Sequence, residues 1–213
     1  NSTAQLSQQR SQGIHAFPLH QQKALERSCL LAYQGILSSL PPKVDQLPIS
    51  EDASIKSAIS PYGNTNQIGE EIILDTCKAF AKLKAISLRY FNPIGAHSSA
   101  KIGEYPQGIP QNLIPFLTQT VIGKRSILKV FGAEYDTHDG TCIRDYIHVI
   151  DLAEAHIESL NYLKSSKNKA SCEVYNVGTG KGISVLQLIK AFESVTGKKV
   201  PYEIVEPRQG DTI

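Results

Sequence analysis

A helix-like segment followed directly by a short apolar run constrains the fold most. After Tyr62, apolar residues recur at helical spacing and charged residues fall on the other face: Ile68, Ile72, Ile73, Cys77 and Phe80 against Glu70, Glu71 and Lys78. The run from Ala85 to Phe91 is typical of a strand buried in a parallel sheet, and Asn92-Pro93 then predicts a loop. A helix followed by such a strand is half of a βαβ unit, so an α/β fold with a partial parallel sheet is predicted.

Later segments predict further elements of the same class, because apolar periodicity and capping signals alternate along the chain. The predicted elements are a helix over 114–122 ending at Gly123, a strand over 128–131, a helix starting at Asp151 with Glu154 and running through Leu163, a strand over 174–177, a helix between a capping box of Ser184 with Gln187 and a stop at Gly197, and a strand over 200–205.

Residues 1–44 differ from the rest of the chain. Residues 1–22 are rich in Gln, Ser and His without apolar periodicity, and residues 24–37 are compatible with one amphipathic helix that Pro41-Pro42 would end. Two hypotheses stay open for this segment, a partner-binding arm and a poorly ordered or corrupted N-terminus. Because the chain begins at Asn1 and contains no Met, we expect a fragment or an incomplete reading frame.

Charge and composition argue against several classes of partner. A net charge of +2 without long basic runs predicts neither nucleic-acid nor membrane-surface binding, and no apolar segment approaches the ~20 residues that span a bilayer. Four widely spaced cysteines without a C-x-x-C pair favour reduced thiols in a cytoplasmic protein. The histidines lack ligand spacing, so no metal site is predicted.

Seven ordered blocks carry a resemblance to a known family: residues 60–63 (SPYG), 89–97 (RYFNPIGAH), 106–113 (PQGIPQNL), 130–141 (VFG, YDT and DGT), 144–148 (RDYIH), 175–180 (YNVGTG) and 208–211 (RQGD). In this order they resemble the UDP-glucose 4-epimerases, which are extended short-chain dehydrogenases. The resemblance covers about three quarters of the chain. A lone tyrosine at a helix start would be weak support, whereas seven blocks at family spacing are specific.

The resemblance implies an NAD-dependent enzyme that interconverts UDP-glucose and UDP-galactose in galactose metabolism, with a Rossmann domain for NAD and a smaller domain for the UDP-sugar. It implies that residues 45–93 are the remnant of the Rossmann domain and that 94–213 are mostly the UDP-sugar domain, with strands around 143–148 and 173–177 returning to the Rossmann sheet. It also implies a possible homodimer.

The resemblance assigns roles to single residues. Tyr62 would be the acid/base catalyst and, with Phe91, would lie near the cofactor. The UDP-sugar would be contacted by Asn92, Asn112, the Leu113 backbone, Phe131 beside the uracil, Arg144 and Arg208 at the phosphates, and Asp211 at the ribose. Two guanidinium forks suit a pyrophosphate, because each can donate two parallel hydrogen bonds.

Three departures from the family pattern concern the oxidoreductase chemistry. No G-x-x-G-x-x-G follows a strand near the N-terminus, the serine position falls at Leu37, and the lysine position is Asn66. An unperturbed phenol ionises only near pH ~10, so the catalytic tyrosine needs a neighbouring cation. We therefore expect no bound NAD and an impaired or inactive epimerase.

Two further hypotheses stay open beside the impaired enzyme. The chain could be a non-catalytic UDP-sugar-binding remnant, which turnover with added NAD would distinguish from an epimerase. It could also be a truncated or frameshifted product that folds poorly alone, since a partial sheet leaves an unpaired strand edge.

Overall fold

The computed structural model describes residues 28–34, 49–53, 61–165, 167 and 169–208, and these form eight strands and four helices. The strands are β1 (Ser28–Gln34), β2 (Lys84–Tyr90), β3 (Asn92–Ile94), β4 (Leu128–Phe131), β5 (Ile143–His148), β6 (Cys172–Val177), β7 (Gly182–Ser184) and β8 (Tyr202–Val205). The helices are α1 (Pro61–Ala79), α2 (Leu113–Val121), α3 (Val149–Lys164) and α4 (Val185–Thr196).

The largest sheet has the strand order β1-β2-β6, and both pairings are parallel. Residues 85–89 of β2 are all buried, as expected for the central strand of a parallel sheet, and Arg89 is the one charged residue among them. Ile86 and Leu88 form a buried cluster with Leu163 of α3. The predicted α/β class with a partial parallel sheet is confirmed.

Two smaller sheets lie beside the first. Strand β5 pairs in parallel with β3 and antiparallel with β7, and β4 pairs in parallel with β8. A second core joins the last pair to α2 and α4 through its buried members Leu117, Leu128, Val130, Ile189 and Val200. This packing holds β4 against α2 and α4.

Two expectations about strands need correction. Residues 28–34 form a strand in register with residues 84–90 of β2, so the predicted amphipathic helix over 24–37 is wrong where the structure describes it. Short apolar runs suit helix or strand equally, and here the parallel partner decides. Of the two strands expected to return to the large sheet, β6 does, whereas β5 pairs with β3 and β7.

The predicted faces of α1 are also wrong in part. Glu70, expected on the outer face, is only 5% exposed, whereas Ile72 is 58% exposed. The reason is Arg89 in β2, whose guanidinium donates to both carboxylate oxygens of Glu70 and also to the Glu51 carbonyl. A buried arginine requires a buried partner, so the helix turns its carboxylate inward.

Most helix ends fall where the sequence predicts them. Helix α4 has the predicted capping box and a left-handed Gly197 at its C-terminus. Helix α3 begins earlier than predicted, because the His148 side chain, not Asp151, accepts a hydrogen bond from the Ile150 N–H. In the described part of the chain, no helix is long and apolar enough to cross a membrane.

Candidate functional site

A cavity of about 210 Å³ opens where the two smaller sheets and the N-termini of α2 and α4 meet. Its lining comes from β3, the first turn of α2, the end of β4, alternate residues of β5 and Arg208, which lies three residues after β8. The lining residues are Asn92, Pro93, Ile94, Glu104, Gln111, Asn112, Leu113, Ile114, Lys129, Val130, Phe131, Cys142, Arg144, Tyr146, Val185 and Arg208.

Strand β5 supplies Arg144 and Tyr146 to this cavity. They are two residues apart, and side chains at that spacing share a face of a strand. Burial raises the pKa of the Tyr146 phenol, and the positive charge of Arg144 offsets part of this rise. The phenol is therefore held neutral as a hydrogen-bonding group, and the guanidinium supplies the positive charge of this wall.

Asn92 brings a buried acceptor to the cavity. Its side-chain oxygen Oδ1 is buried and, among the described residues, has no hydrogen-bond partner. Leaving a buried carbonyl oxygen unpaired costs about 1–3 kcal/mol, so such an atom suits a ligand that donates a hydrogen bond. A sugar hydroxyl is a donor of this kind.

The N-terminus of α2 forms another wall. Asn112 is the N-cap residue, yet its side chain makes no capping hydrogen bond, and its Nδ2 donates to Glu104 Oε1 at 2.6 Å. The first backbone N–H groups of a helix have no intrahelical acceptors and carry a partial positive charge. Because Leu113 and Ile114 line the cavity, this helix end favours an anionic group there.

Arg208 and Phe131 form the far wall together. The Arg208 guanidinium lies over the Phe131 ring, with its carbon Cζ 4.3 Å from the ring centroid. Stacking of this kind holds a guanidinium in a fixed orientation while its N–H groups remain directed outward. The arrangement presents a flat apolar surface and a cation side by side.

Tyr62 lies outside this cavity, on the first turn of α1, and is 56% exposed. Tyr62 lies close to Tyr90, the last residue of β2. Burial raises the pKa of the Tyr90 phenol, and the nearby Tyr62 raises it further. Asn66 follows one turn after Tyr62 on the same side of the helix. No cationic side chain occupies the predicted lysine position.

Phe91 connects the Tyr62 region to the cavity. It lies between Tyr90 and Asn92, and its N–H donates to the Val177 carbonyl at 3.1 Å. Gly178 packs so closely that a methyl group there would come within 2.6 Å of both Phe91 and the Asp145 carboxylate. The glycine is therefore required by close packing.

The turn at residues 178–180 does not provide a phosphate site. The Thr179 N–H, the Thr179 hydroxyl and the Gly180 N–H all donate to the Asp145 carboxylate, at 2.7–3.0 Å. These donors are already satisfied by an anion of the protein itself. The turn follows β6 and leads into the short strand β7, not directly into a helix, and the residues that follow β1 lie outside the described part of the chain. The described residues alone therefore do not fit the pyrophosphate of NAD.

A second carboxylate supports the cavity from behind. Asp139 accepts hydrogen bonds from the Thr141 N–H at 3.0 Å, the Thr141 hydroxyl at 2.7 Å and the Ser184 hydroxyl. Burial alone would raise the pKa of Asp139, but the hydrogen bonds from Ser184 and Thr141 outweigh it and lower the pKa. Asp139 thus holds Thr141 and Ser184, and each of these directly precedes a lining residue, Cys142 and Val185.

The predicted site residues divide into two groups. Six of the seven predicted UDP-sugar residues line one cavity: Asn92, Asn112, Leu113, Phe131, Arg144 and Arg208. Asp211 lies outside the described residues, as does the expected serine position, Leu37. Tyr62 and Phe91 are not part of its lining. Their catalytic and binding roles stay predictions.

Sequence reasoning missed several lining residues, among them Glu104, Lys129 and Tyr146. Strand alternation could have found two of them, because Lys129 precedes Phe131 by two residues and Tyr146 follows Arg144 by two. Glu104 comes from an irregular loop that carries no periodic signal. Within the described ranges, no three His, Cys, Asp or Glu side chains lie close enough together to hold a metal ion.

Comparison with known proteins places these features among sugar-nucleotide enzymes. Residues 34–178 match the NAD dependent epimerase/dehydratase family. UDP-glucose 4-epimerase from Bos taurus is 52% identical over 165 residues, which are 78% of this chain and 47% of the bovine protein. UDP-glucose 4-epimerase from Haemophilus influenzae is 49% identical over 170 residues, 80% of this chain and 49% of that protein. The chain thus spans about half the length of the curated relatives that it matches.

Solved structures give the same relationship. The UDP-glucose 4-epimerase of Stenotrophomonas maltophila, with bound NAD and formylated UDP-arabinopyranose, superposes with a TM-score of 0.82 at 42% identity, over 90% of this chain and 55% of that one. The enzyme from Bifidobacterium longum, in complex with NAD+ and UDP, gives a TM-score of 0.79 at 38% identity, over the same shares.

Proposed function

Since the chain belongs to the NAD dependent epimerase/dehydratase family, we propose that its function is that of a UDP-glucose 4-epimerase, with UDP-glucose or UDP-galactose bound in the cavity. The phosphates would lie between Arg144 and Arg208, the uracil against Phe131, and the sugar towards Asn92. Two relatives were solved with UDP or a UDP-sugar, which supports this class of ligand.

One observation carries the proposal: Arg144 and Arg208, 64 residues apart in the sequence, line the same cavity. An anion bound between two guanidinium groups is attracted by both. A pyrophosphate supplies that anion with paired oxygens that match each guanidinium. The N-terminus of α2 adds partial positive charge at the same cavity.

The residues of this chain support binding of the sugar nucleotide better than they support its conversion. Asn66 provides no cation for Tyr62, and the described residues do not fit the NAD pyrophosphate by themselves. We propose that the chain binds the sugar nucleotide but carries no NAD of its own and turns over slowly or not at all. The family pattern still makes NAD the cofactor of the reaction.

Binding calorimetry with UDP tests the proposal. Arg208→Ala should weaken UDP binding by about 1.5–3 kcal/mol, the range for a hydrogen bond to a charged group. Arg125→Ala is the matched control, because Arg125 also lies over an aromatic ring, Phe116, at 4.9 Å, but lies outside the cavity lining. The control should bind UDP as the wild type does.

Two outcomes would count against the proposal. Absence of UDP binding to the wild-type chain would overturn the nucleotide-binding function itself. Equal UDP affinities for Arg208→Ala and Arg125→Ala would show that binding occurs away from this cavity.

Assay of UDP-galactose conversion with added NAD then distinguishes an epimerase from a binding protein without turnover.

The wider setting follows from the same family. We propose a role in galactose metabolism in the cytoplasm, where Cys77 and Cys142, both buried free thiols, would stay reduced. We also propose a homodimer. Helix α1 exposes Ile68 and Ile72, which would be covered by a second copy. Analytical ultracentrifugation measures this assembly directly.

A further inference from the structure

Glu104 is the one carboxylate among the described residues that line the cavity, and the family resemblance assigns it no role. By charge alone, a carboxylate beside an anion-binding cavity is unfavourable, because like charges repel. Its Oε1 accepts a hydrogen bond from Asn112 Nδ2 at 2.6 Å. The effect of Glu104 on a ligand therefore depends on what this hydrogen bond does to Asn112.

The loop that carries Glu104 has contacts on both sides of the residue. Before it, the His97 N–H donates to the Ile102 carbonyl at 2.9 Å. After it, the Lys124 ammonium lies over the Tyr105 ring, 5.5 Å from the ring centroid, which connects the loop to the residues that follow α2. The loop thus presents the Glu104 carboxylate to the N-terminus of α2.

Asn112 has the backbone of an N-cap residue without the capping hydrogen bond. Its φ of −89° and ψ of 150° are extended, as is usual at an N-cap, and asparagine is among the best capping residues. An N-cap side chain accepts from the second or third N–H of its helix, and Pro115, the third residue of α2, has no N–H. The Ile114 N–H is therefore the donor that the Asn112 side chain could cap.

The hydrogen bond to Glu104 accounts for the missing cap. It holds the Asn112 carboxamide towards the loop through Nδ2, whereas capping requires the carboxamide oxygen to face the Ile114 N–H. Leu113 and Ile114 both line the cavity. Because the first N–H groups of a helix have no intrahelical acceptor, the uncapped helix end can donate to an anionic ligand there.

We propose that Glu104 is a positioning residue that holds the Asn112 side chain away from the N-terminus of α2, so that the Ile114 N–H can donate to a phosphate oxygen of the bound sugar nucleotide; this inference rests on the proposed function. Removing the Glu104 acceptor releases the Asn112 carboxamide, whose oxygen then caps Ile114. A ligand must break that cap before it can accept from the same N–H, so its affinity falls. The role belongs to the acceptor oxygen of Glu104 and not to its charge.

Calorimetric titration of the full chain with UDP tests the inference. Glu104→Ala should weaken UDP binding about fivefold, the equivalent of one N-cap hydrogen bond, whereas Glu104→Gln should bind UDP at least as tightly as the wild type because its side-chain oxygen still accepts from Asn112. Glu158→Ala is the matched control, because Glu158 also accepts from an asparagine amide, that of Asn161 at 3.4 Å, but lies outside the cavity lining. The control should change the UDP affinity by less than about twofold.

Amide hydrogen exchange provides a readout that needs no ligand. In Glu104→Ala, the Ile114 N–H should exchange more slowly than in the wild type, since the Asn112 side chain then caps it. In the double variant Glu104→Ala/Asn112→Ala, this protection should be lost. An Ile114 exchange rate that is the same in Glu104→Ala and in the wild type would overturn the inference.

The UDP titrations separate the inference from the proposed function. If wild-type protein binds UDP and Arg208→Ala weakens it, while Glu104→Ala binds UDP equally or more tightly, the inference fails and the proposed function stands. Equal losses for Glu104→Ala and Glu104→Gln would make the charge of Glu104 the cause, which also overturns the inference. No UDP binding by wild-type protein would overturn both.

Discussion

At the scale of single residues, Asn66 has the greatest consequence for chemistry. It lies one helical turn after Tyr62, where the family pattern predicts a lysine whose charge would favour the tyrosinate. The carboxamide can donate and accept hydrogen bonds but carries no charge. The fold keeps Tyr62 beside the end of β2, so the local geometry is retained while the charge is absent.

The consequence is testable by restoring the lysine. We expect Asn66→Lys alone to leave the chain inactive with added NAD, because the substitution supplies the cation but no pyrophosphate site. When the N-terminal half of a related epimerase replaces residues 1–44, the fusion with Asn66 should turn over slowly and the fusion with Asn66→Lys clearly faster. General acid–base catalysis contributes about 10²–10⁴-fold, which sets the expected size of the difference. The assay is conversion of UDP-galactose to UDP-glucose, and equal rates for the two fusions would contradict this role of the lysine.

Asp139 makes a pH-dependent contribution to the free energy of unfolding. Its carboxylate accepts three hydrogen bonds that tie Thr141 to Ser184, and these lower its pKa in the folded state. A lowered folded-state pKa means that the charged form stabilises the fold at any pH above the ordinary Asp value of ~3.9. The contribution is then lost as the pH falls through the folded-state pKa.

Asp139→Asn should therefore lower the free energy of unfolding by about 1–2 kcal/mol at pH ~7, and the difference from wild type should shrink near pH ~3. Urea unfolding at both pH values measures it. Asp75→Asn is the control, because Asp75 forms only an exposed pair with Lys78 and should change stability by less than about 1 kcal/mol. A loss for Asp139→Asn that is constant with pH would show that shape, not charge, matters.

At the scale of elements, the buried pair of Glu70 and Arg89 joins α1 to β2. Their side chains are 6% and 4% exposed, and Arg89 also donates to the Glu51 carbonyl at 2.9 Å. The pair fixes which face of α1 contacts the sheet, and with it the side of the helix from which Tyr62 projects. Removing one charge of such a pair leaves the other buried without compensation.

Glu70→Leu should thus destabilise the chain by about 3–5 kcal/mol, whereas the double variant Glu70→Leu/Arg89→Met should be clearly less destabilised than that single variant. Denaturant unfolding of the wild type, both single variants and the double variant forms a complete cycle. Additive losses would show that the two side chains contribute independently, and would contradict the pairing described here.

The elements also show why sequence prediction succeeded and failed. Local signals were sufficient for α2 and α4, because an N-cap or a C-terminal glycine belongs to the helix itself. They failed for residues 28–34 and for the faces of α1, because the parallel partner β2 and the buried Arg89 are distant in sequence. The start of α3 was predicted too late, because a histidine in place of the usual capping residues accepts the hydrogen bond.

At the scale of the whole molecule, the cavity forms between the two smaller sheets, β3-β5-β7 and β4-β8. Strand ends from β3, β4 and β5 and the first turn of α2 bring Asn92, Phe131, Arg144 and Leu113 together. The resemblance indicated these residues one by one, because each lies in a recognisable motif. It did not indicate Lys129 or Glu104, because the lining depends on strand register and on an irregular loop.

The crystal structure of the chain with UDP-glucose tests the central claim most directly. We predict the uracil against the Phe131 ring, the two phosphates between Arg144 and Arg208, and a sugar hydroxyl donating to the buried oxygen of Asn92. A ligand bound elsewhere, or with its phosphates away from both arginines, would contradict the proposed function.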